Sequence, residues 1–215
     1  MTKSSSWFIA LVLTCILGVE TGAQGDKSTV VRRLGQSHRD SVTAMVYSPD
    51  GKFLATAGRY NVRLWNTKTN ETFRIIDEPT FQNQGKILQF SPDGKSIATA
   101  TNYGKKTVKI WQVDSGEVVC ELKNKKFDIN SVAFSPDRTH MVLATESKTI
   151  KLWNIKKKKA VKSFKGHKKP VNTVSFCPDG LTFATGSADK TVRIWSVGTG
   201  KKSKHLRGIL TDYAV

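Results

Sequence analysis

Residues 166–195 read GHKKPVNTVSFCPDGLTFATGSADKTVRIW. Three short apolar runs alternate in this stretch with polar residues. Val171, Val174 and Phe176 precede the turn Pro178-Asp179-Gly180, and Phe183 and Ala184 precede a second turn at Ala188-Asp189-Lys190. Val192, Ile194 and Trp195 close the unit. Runs of β-branched and aromatic residues with a period of two, separated by Pro, Asp and Gly, predict an antiparallel meander of short strands.

The same pattern recurs three times upstream. Its first turns are Ser48-Pro49-Asp50-Gly51, Ser91-Pro92-Asp93-Gly94 and Ser135-Pro136-Asp137-Arg138, against Cys177-Pro178-Asp179-Gly180 in the last unit. The third strands end Val62-Arg63-Leu64-Trp65, Val108-Lys109-Ile110-Trp111, Ile150-Lys151-Leu152-Trp153 and Val192-Arg193-Ile194-Trp195, with Trp spacings of 46, 42 and 42 residues. A fourth, outer strand is predicted after each Trp, near 71–76, 117–122, 160–164 and 202–206. Self-similarity at one period is the signature of a repeat architecture. With Gly-His at its head and Trp at its close, the unit resembles the WD repeat of β-propellers, which has four strands in about 40 to 45 residues. The resemblance covers about residues 30–207.

That resemblance implies an all-β propeller of about four four-stranded blades: repeats at 35–76, 77–122, 123–164 and 165–207 inside a domain over 30–215, with 208–215 beginning a further repeat. It also implies a hydrogen-bonded tetrad in each well-formed blade, joining the His of Gly-His, a Ser or Thr of the second strand, an Asp of the second turn and the Trp. The fourth unit supplies His167, Thr185 or Ser187, Asp189 and Trp195. The chemistry suits the residues, because an indole N–H can only donate, a hydroxyl can relay and an imidazole can bridge to a carboxylate. In that setting His167 and Asp189 are structural rather than a catalytic dyad. The other units depart from the pattern. The first keeps His38 and Trp65 but has Arg59-Tyr60-Asn61 where Asp would sit. The second has Asn83 in the His place and a longer second turn, Asn102-Tyr103-Gly104-Lys105. The third has Lys125 and Ser147 in the His and Asp places. Three softer blades are expected.

Closure is the open question. Blade edges are protected when blades form a ring. Val30 to Leu34 reads as an orphan outer strand and residues 208–215 as the opening of another unit. An open or incomplete ring is expected, with three outcomes: an open arc, pairing with another copy, or a piece of a larger propeller.

The first 23 residues stand apart. Lys3 precedes the uncharged run Trp7 to Val19, and Thr21-Gly22-Ala23 offers small residues before Gln24. This is the layout of a secretory signal peptide, too short to span a bilayer comfortably, so membrane contact is expected only during targeting. Residues 24–29 form a polar lead-in. A secreted chain is the first reading and an intracellular one, cytoplasmic or nuclear, the alternative. Asn70-Glu71-Thr72 is a glycosylation sequon that acquires meaning only on the secretory route. Three cysteines are too few for a disulfide scaffold. Cys177 stands in a place held by Ser in the sister units, and no Cys/His spacing suggests a metal.

A net charge of +18 over 215 residues favours acidic partners. The candidate basic surface comprises Lys156, Lys157, Lys158 and Lys159, Lys168 and Lys169, and Lys201, Lys202 and Lys204. No aromatic stripe accompanies these lysines, since the blade Trp residues 65, 111, 153 and 195 are spoken for by packing. Backbone-type electrostatic binding of RNA or an anionic glycan is the alternative to a protein partner. No catalytic set, phosphate loop or cofactor box stands out. The expectation is a non-enzymatic scaffold for protein partners, without cofactor or metal.

Overall fold

The computed structural model describes residues 38, 41–77, 87–101, 106–123 and 128–199, and the backbone alone of 202–207. The leader, the lead-in, Val30 to Leu34, Asn83, residues 102–105, Lys125, Lys201 and residues 208–215 lie outside the described residues.

Sixteen strands form four antiparallel sheets of four. The first blade is β1 (Ala44–Tyr47), β2 (Phe53–Ala57), β3 (Asn61–Asn66) and β4 (Thr72–Asp77). The second is β5 (Ile87–Phe90), β6 (Ser96–Thr101), β7 (Thr107–Gln112) and β8 (Val118–Lys123). The third is β9 (Ile129–Phe134), β10 (His140–Thr145), β11 (Ile150–Asn154) and β12 (Lys159–Phe164). The fourth is β13 (Val171–Phe176), β14 (Thr182–Ser187), β15 (Thr191–Ser196) and β16 (Lys202–Arg207). Strand order follows chain order in every sheet, and the inner strands β1, β5, β9 and β13 carry each blade against the next. Among the described residues the four sheets are not closed into a ring.

The recurring first turn explains why the meander folds back where it does. In the first three blades a Ser hydroxyl donates to the Asp two residues on, at 2.7 Å for Ser48–Asp50, 2.6 Å for Ser91–Asp93 and 2.5 Å for Ser135–Asp137. The same Ser oxygen accepts the amide that opens the second strand: Phe53, Ser96 and His140, each at 2.9 Å. Gly94 and Gly180 then take φ of +69° and +70°, a region in which only glycine avoids strain. Local side-chain bonding of this kind holds a tight turn with partners no more than five residues apart.

The core lies between blades. Side chains alternate across a strand, so each sheet has a trailing face toward the next blade and a leading face toward the previous one. Ala55, Val62, Leu64 and Ile76 of the first blade pack on Phe90, Ile97 and Trp111 of the second. Ala98, Val108, Ile110 and Leu122 meet Val132, Phe134, Met141 and Trp153. Val142, Ile150, Leu152 and Phe164 meet Val174, Phe183 and Trp195. Burying each Leu, Ile or Phe contributes about 1.5–3 kcal/mol, so blades hold together by their neighbours rather than individually.

Candidate functional site

Each blade has two ends, fixed by register. At the upper end lie the start of the inner strand and the second turn; in the fourth blade Val171 pairs with Ser187 there. At the lower end lie the Pro-Asp turn and the turn into the outer strand, with Phe176 opposite Phe183 and Trp195 opposite Lys202.

The tetrad of the fourth blade runs from its core to the upper end. Trp195 Nε1 donates to Thr185 Oγ1 at 2.8 Å, and Thr185 Oγ1 lies 2.8 Å from His167 Nε2. His167 Nδ1 is 2.9 Å from Asp189 Oδ2. Because indole only donates, the Thr185 oxygen accepts from Trp195. Its own proton is then directed to Nε2, leaving Nδ1–H to donate to the carboxylate. Asp189 accepts three further bonds, from the Lys168 amide at 2.8 Å, the Thr191 amide at 3.1 Å and the Thr191 hydroxyl at 2.5 Å. Burial alone would raise the Asp189 carboxyl; the donors from Thr191, Lys168 and His167 outweigh it and hold the group well below its ordinary 3.8. Of the two hydroxyls offered by the sequence, Thr185 is the relay. Ser187 instead donates to the Pro170 carbonyl at 2.8 Å and pins the approach to β13.

The remaining blades form a graded series. In the first, His38 Nε2 lies 2.7 Å from Thr56 Oγ1, which accepts from Trp65 Nε1 at 2.8 Å. In the second, Trp111 Nε1 donates to Thr99 at 2.9 Å. In the third the relay hydroxyl is missing. Leu143, fully buried opposite Lys151, stands where Thr56, Thr99 and Thr185 stand, and the buried indole N–H of Trp153 has no hydrogen-bond partner among the described residues. Thr145 bonds Ser147 at 2.7 Å instead. Sequence reasoning located the His and Asp losses here but missed Leu143, because an apolar residue in a strand looks ordinary.

Such a network is built to hold shape. The imidazole and carboxylate are saturated, with side chains 0% and 5% exposed, leaving neither a free base nor space for a reacting atom. Burial pushes the Cys120 thiol up, against nucleophilic use. Among the described residues, no group of three or more His, Cys, Asp and Glu is placed to hold a metal.

The lysines divide between the two ends. Lys168 and Lys169 are exposed at the upper end beside Lys148, Lys165 and Lys190, and none of the five forms an ion pair among the described residues. In the third and fourth blades the upper carboxylates are occupied: Asp128 by Lys106 at 2.5 Å, Glu146 by Asn130 at 3.1 Å and Asp189 by its network. Lys156, Lys157 and Lys158 fill the turn between β11 and β12 at the lower end, and Lys159 opens β12. They share that end with the first-turn aspartates Asp50, Asp93, Asp137 and Asp179 and with Asp114 in the turn between β7 and β8; Asp50 pairs with Lys52 and Asp93 with Arg138. Lys202 opens β16 and Lys204 sits opposite Ile194. Asn70 lies in the turn between β3 and β4, partly exposed, with φ of +60°.

No curated protein matches the chain. The family described as WD domain, G-beta repeat matches residues 28–66, 84–112, 116–154 and 158–196, well over half of the sequence and once per blade. Proteins built from this repeat are typically non-enzymatic scaffolds that bind other proteins. The chain belongs to the WD-repeat family.

Proposed function

We propose that this chain is a non-enzymatic scaffold whose upper end receives an acidic segment of a partner protein. One observation carries the reading: Lys148, Lys165, Lys168, Lys169 and Lys190 stand exposed at that end without ion-pair partners among the described residues, while the carboxylates of the same two blades are engaged internally. Excess charge of one sign on a rigid surface steers and selects an opposite charge. Lys156 to Lys159, although denser, share the lower end with Asp50, Asp93, Asp114, Asp137 and Asp179 and offer a weaker net field.

The test is binding of a glutamate-rich peptide, followed by calorimetry at several salt concentrations. Replacing Lys168, Lys169 and Lys190 by Glu should weaken it. Three exposed pairs at up to about 1 kcal/mol each correspond to about a ten- to hundredfold loss. The same change at Lys156, Lys157 and Lys158 should do less. Single-stranded RNA or a sulfated glycan bound more tightly than the peptide, with a steep salt slope, would overturn the protein-partner reading.

The leader adds a compartment to this proposal. Its n-region, apolar run and small-residue close support delivery to the secretory pathway, and the position of Asn70 in an exposed turn suits a glycan. Intact mass of the protein from its own source decides this: a chain lacking about 23 residues, with added mass on Asn70, is expected. An uncleaved, unmodified chain would place the scaffold inside the cell.

A further inference from the structure

The joints between successive blades reuse the same parts, and both end blades carry half a joint. Three devices recur. First, a residue of the outer strand donates to the next blade's turn into its own outer strand. Arg74 Nη1 reaches Ser115 O at 3.2 Å, Cys120 Sγ reaches Ile155 O at 3.5 Å, and Lys162 Nζ reaches Val197 O at 2.8 Å and Gly198 O at 2.6 Å. These donors share one register position, opposite Leu64, Ile110 and Leu152 respectively. Second, the Pro of one first turn lies against the left-handed position of the next. A Cβ on Gly94 would sit 3.7 Å from Pro49, and one on Gly180 would sit 3.6 Å from Pro136. At the middle joint Arg138 occupies the glycine's place and pairs with Asp93. Third, the trailing apolar face covers the leading one.

Both halves recur unfilled at the ends. On the first blade, Met45 and Tyr47 are 68% and 55% exposed, whereas Phe90, which holds the place of Tyr47 in the second blade, is 5% exposed. A Cβ on Gly51 would meet no described residue within 4 Å. On the fourth blade, Val192 is 40% exposed, whereas Val62, Val108 and Ile150 at the same place are each fully buried. Lys204 stands opposite Ile194, the register position of the three donors. Thr173 holds the place of Ser131, whose hydroxyl accepts the Val174 amide across the third joint at 3.3 Å; the amide equivalent to that of Val174 belongs to Met45.

We propose that the trailing face of the fourth blade docks on the leading face of the first blade of a second copy of this chain, head to tail. The occupant is a second copy because each open face matches, position by position, the partner that the other has at the internal joints. An unrelated protein would have no reason to supply a Pro for Gly51, a donor at the Lys204 register and an aliphatic cover for Met45 and Tyr47 together. Two copies joined twice make eight blades, within the range of β-propellers; a rotation that does not close gives a longer chain. The proposal uses blade faces and is independent of the lysines at the upper end.

The test is molar mass by light scattering and sedimentation of the full chain over a wide concentration range. Met45→Glu with Tyr47→Glu breaks the first-blade half, and Val192→Glu breaks the fourth-blade half. All three side chains are exposed, so the variants should still melt cooperatively, below the parent only by the stability that association adds at that concentration. The parent is expected to run as a dimer or larger and each variant alone as a monomer. An equimolar mixture of the two variants should form a pair, because one intact half of each type remains. A parent that stays monomeric at every concentration overturns the proposal. So does a mixture that fails to pair, since that is the behaviour of a symmetric contact between two like faces.

Discussion

The third and fourth blades have the same four strands and the same register, yet each is well made where the other is poor. At the lower end the third blade has Ser135 bonded to Asp137 and to the amide of His140, while the fourth has Cys177, and Asp179 takes its bond from the Leu181 amide at 2.8 Å. In the core the positions reverse: Trp195 is tied through Thr185 and His167 to Asp189, and Trp153 beside Leu143 has a buried N–H with no acceptor among the described residues. The difference shows which part of the repeat makes the fold and which part stiffens it. Apolar alternation and the two turns are present in both blades and give the same sheet; the polar chain is complete in one only. A complete buried network rigidifies, and an incomplete one leaves a desolvated donor that subtracts from stability.

The contrast breaks most severely at the tryptophans. Trp195→Ala should cost about 3–5 kcal/mol, because the ring packs on Phe164 and Phe183 and its loss also leaves Thr185 without its donor. Trp153→Ala should fall at the bottom of that range, since no hydrogen bond is lost with it. Urea unfolding of both variants measures the gap, and equal costs would mean that the network adds nothing to packing. Next in size is Thr185→Val, nearly isosteric, which takes the shared hydroxyl away from the Trp195 N–H and from His167 Nε2 while the Nδ1 bond to Asp189 stays. A loss of about 1–3 kcal/mol is expected, seen as faster amide exchange through β14 and β15 than in β10 and β11.

Acid should sharpen the comparison. Asp189 has its pKa held below 3.8 in the folded chain, so the stability it contributes is present above the unfolded value. That contribution is lost as pH falls from about 4 through the folded value. Ser147, its counterpart in the third blade, does not titrate in this range. The first-turn carboxylates do not distinguish the two blades, since Asp137 is lowered chiefly by the Ser135 hydroxyl and Asp179 chiefly by the Leu181 amide. Hydrogen exchange at neutral and acid pH should therefore show the second turn of the fourth blade opening before that of the third. Asp189→Asn should remove the difference between the two pH values; a variant with unchanged acid response would show that the carboxylate does not set it.

Much of this was legible in the residues. The Ser-Pro-Asp and Trp motifs fixed four units because turn chemistry and strand period are local properties, and the strands begin and end within a residue or two of the expected places. His167, Asp189 and Trp195 were legible for a similar reason: their types are unusual enough in a β repeat to demand partners. What escaped notice was relational. Arg74, Cys120 and Lys162 look like unrelated outer-strand residues until the joints show one donor position filled three ways. Lys168 and Lys156 are near neighbours in sequence, but strand direction sends them to opposite ends. Leu143 was invisible because its fault is an absent hydroxyl, which only its register against Trp153 exposes.

That absent hydroxyl allows the finest test of the comparison. Shortening a buried Leu costs stability whatever replaces it, so Leu143→Val and Leu143→Thr should both be less stable than the parent. At an ordinary core position the Thr variant would be the worse of the two, because its hydroxyl is buried without a partner. Position 143 is different: the orphan Trp153 N–H lies where Thr56, Thr99 and Thr185 accept the corresponding donors. The hydroxyl should find that donor, and the usual order should invert, with Leu143→Thr more stable than Leu143→Val by about 0.5–1.5 kcal/mol. Melting the two variants side by side decides it. A less stable Thr variant would mean that the third blade has drifted too far for one hydroxyl to rejoin its Trp to the pattern.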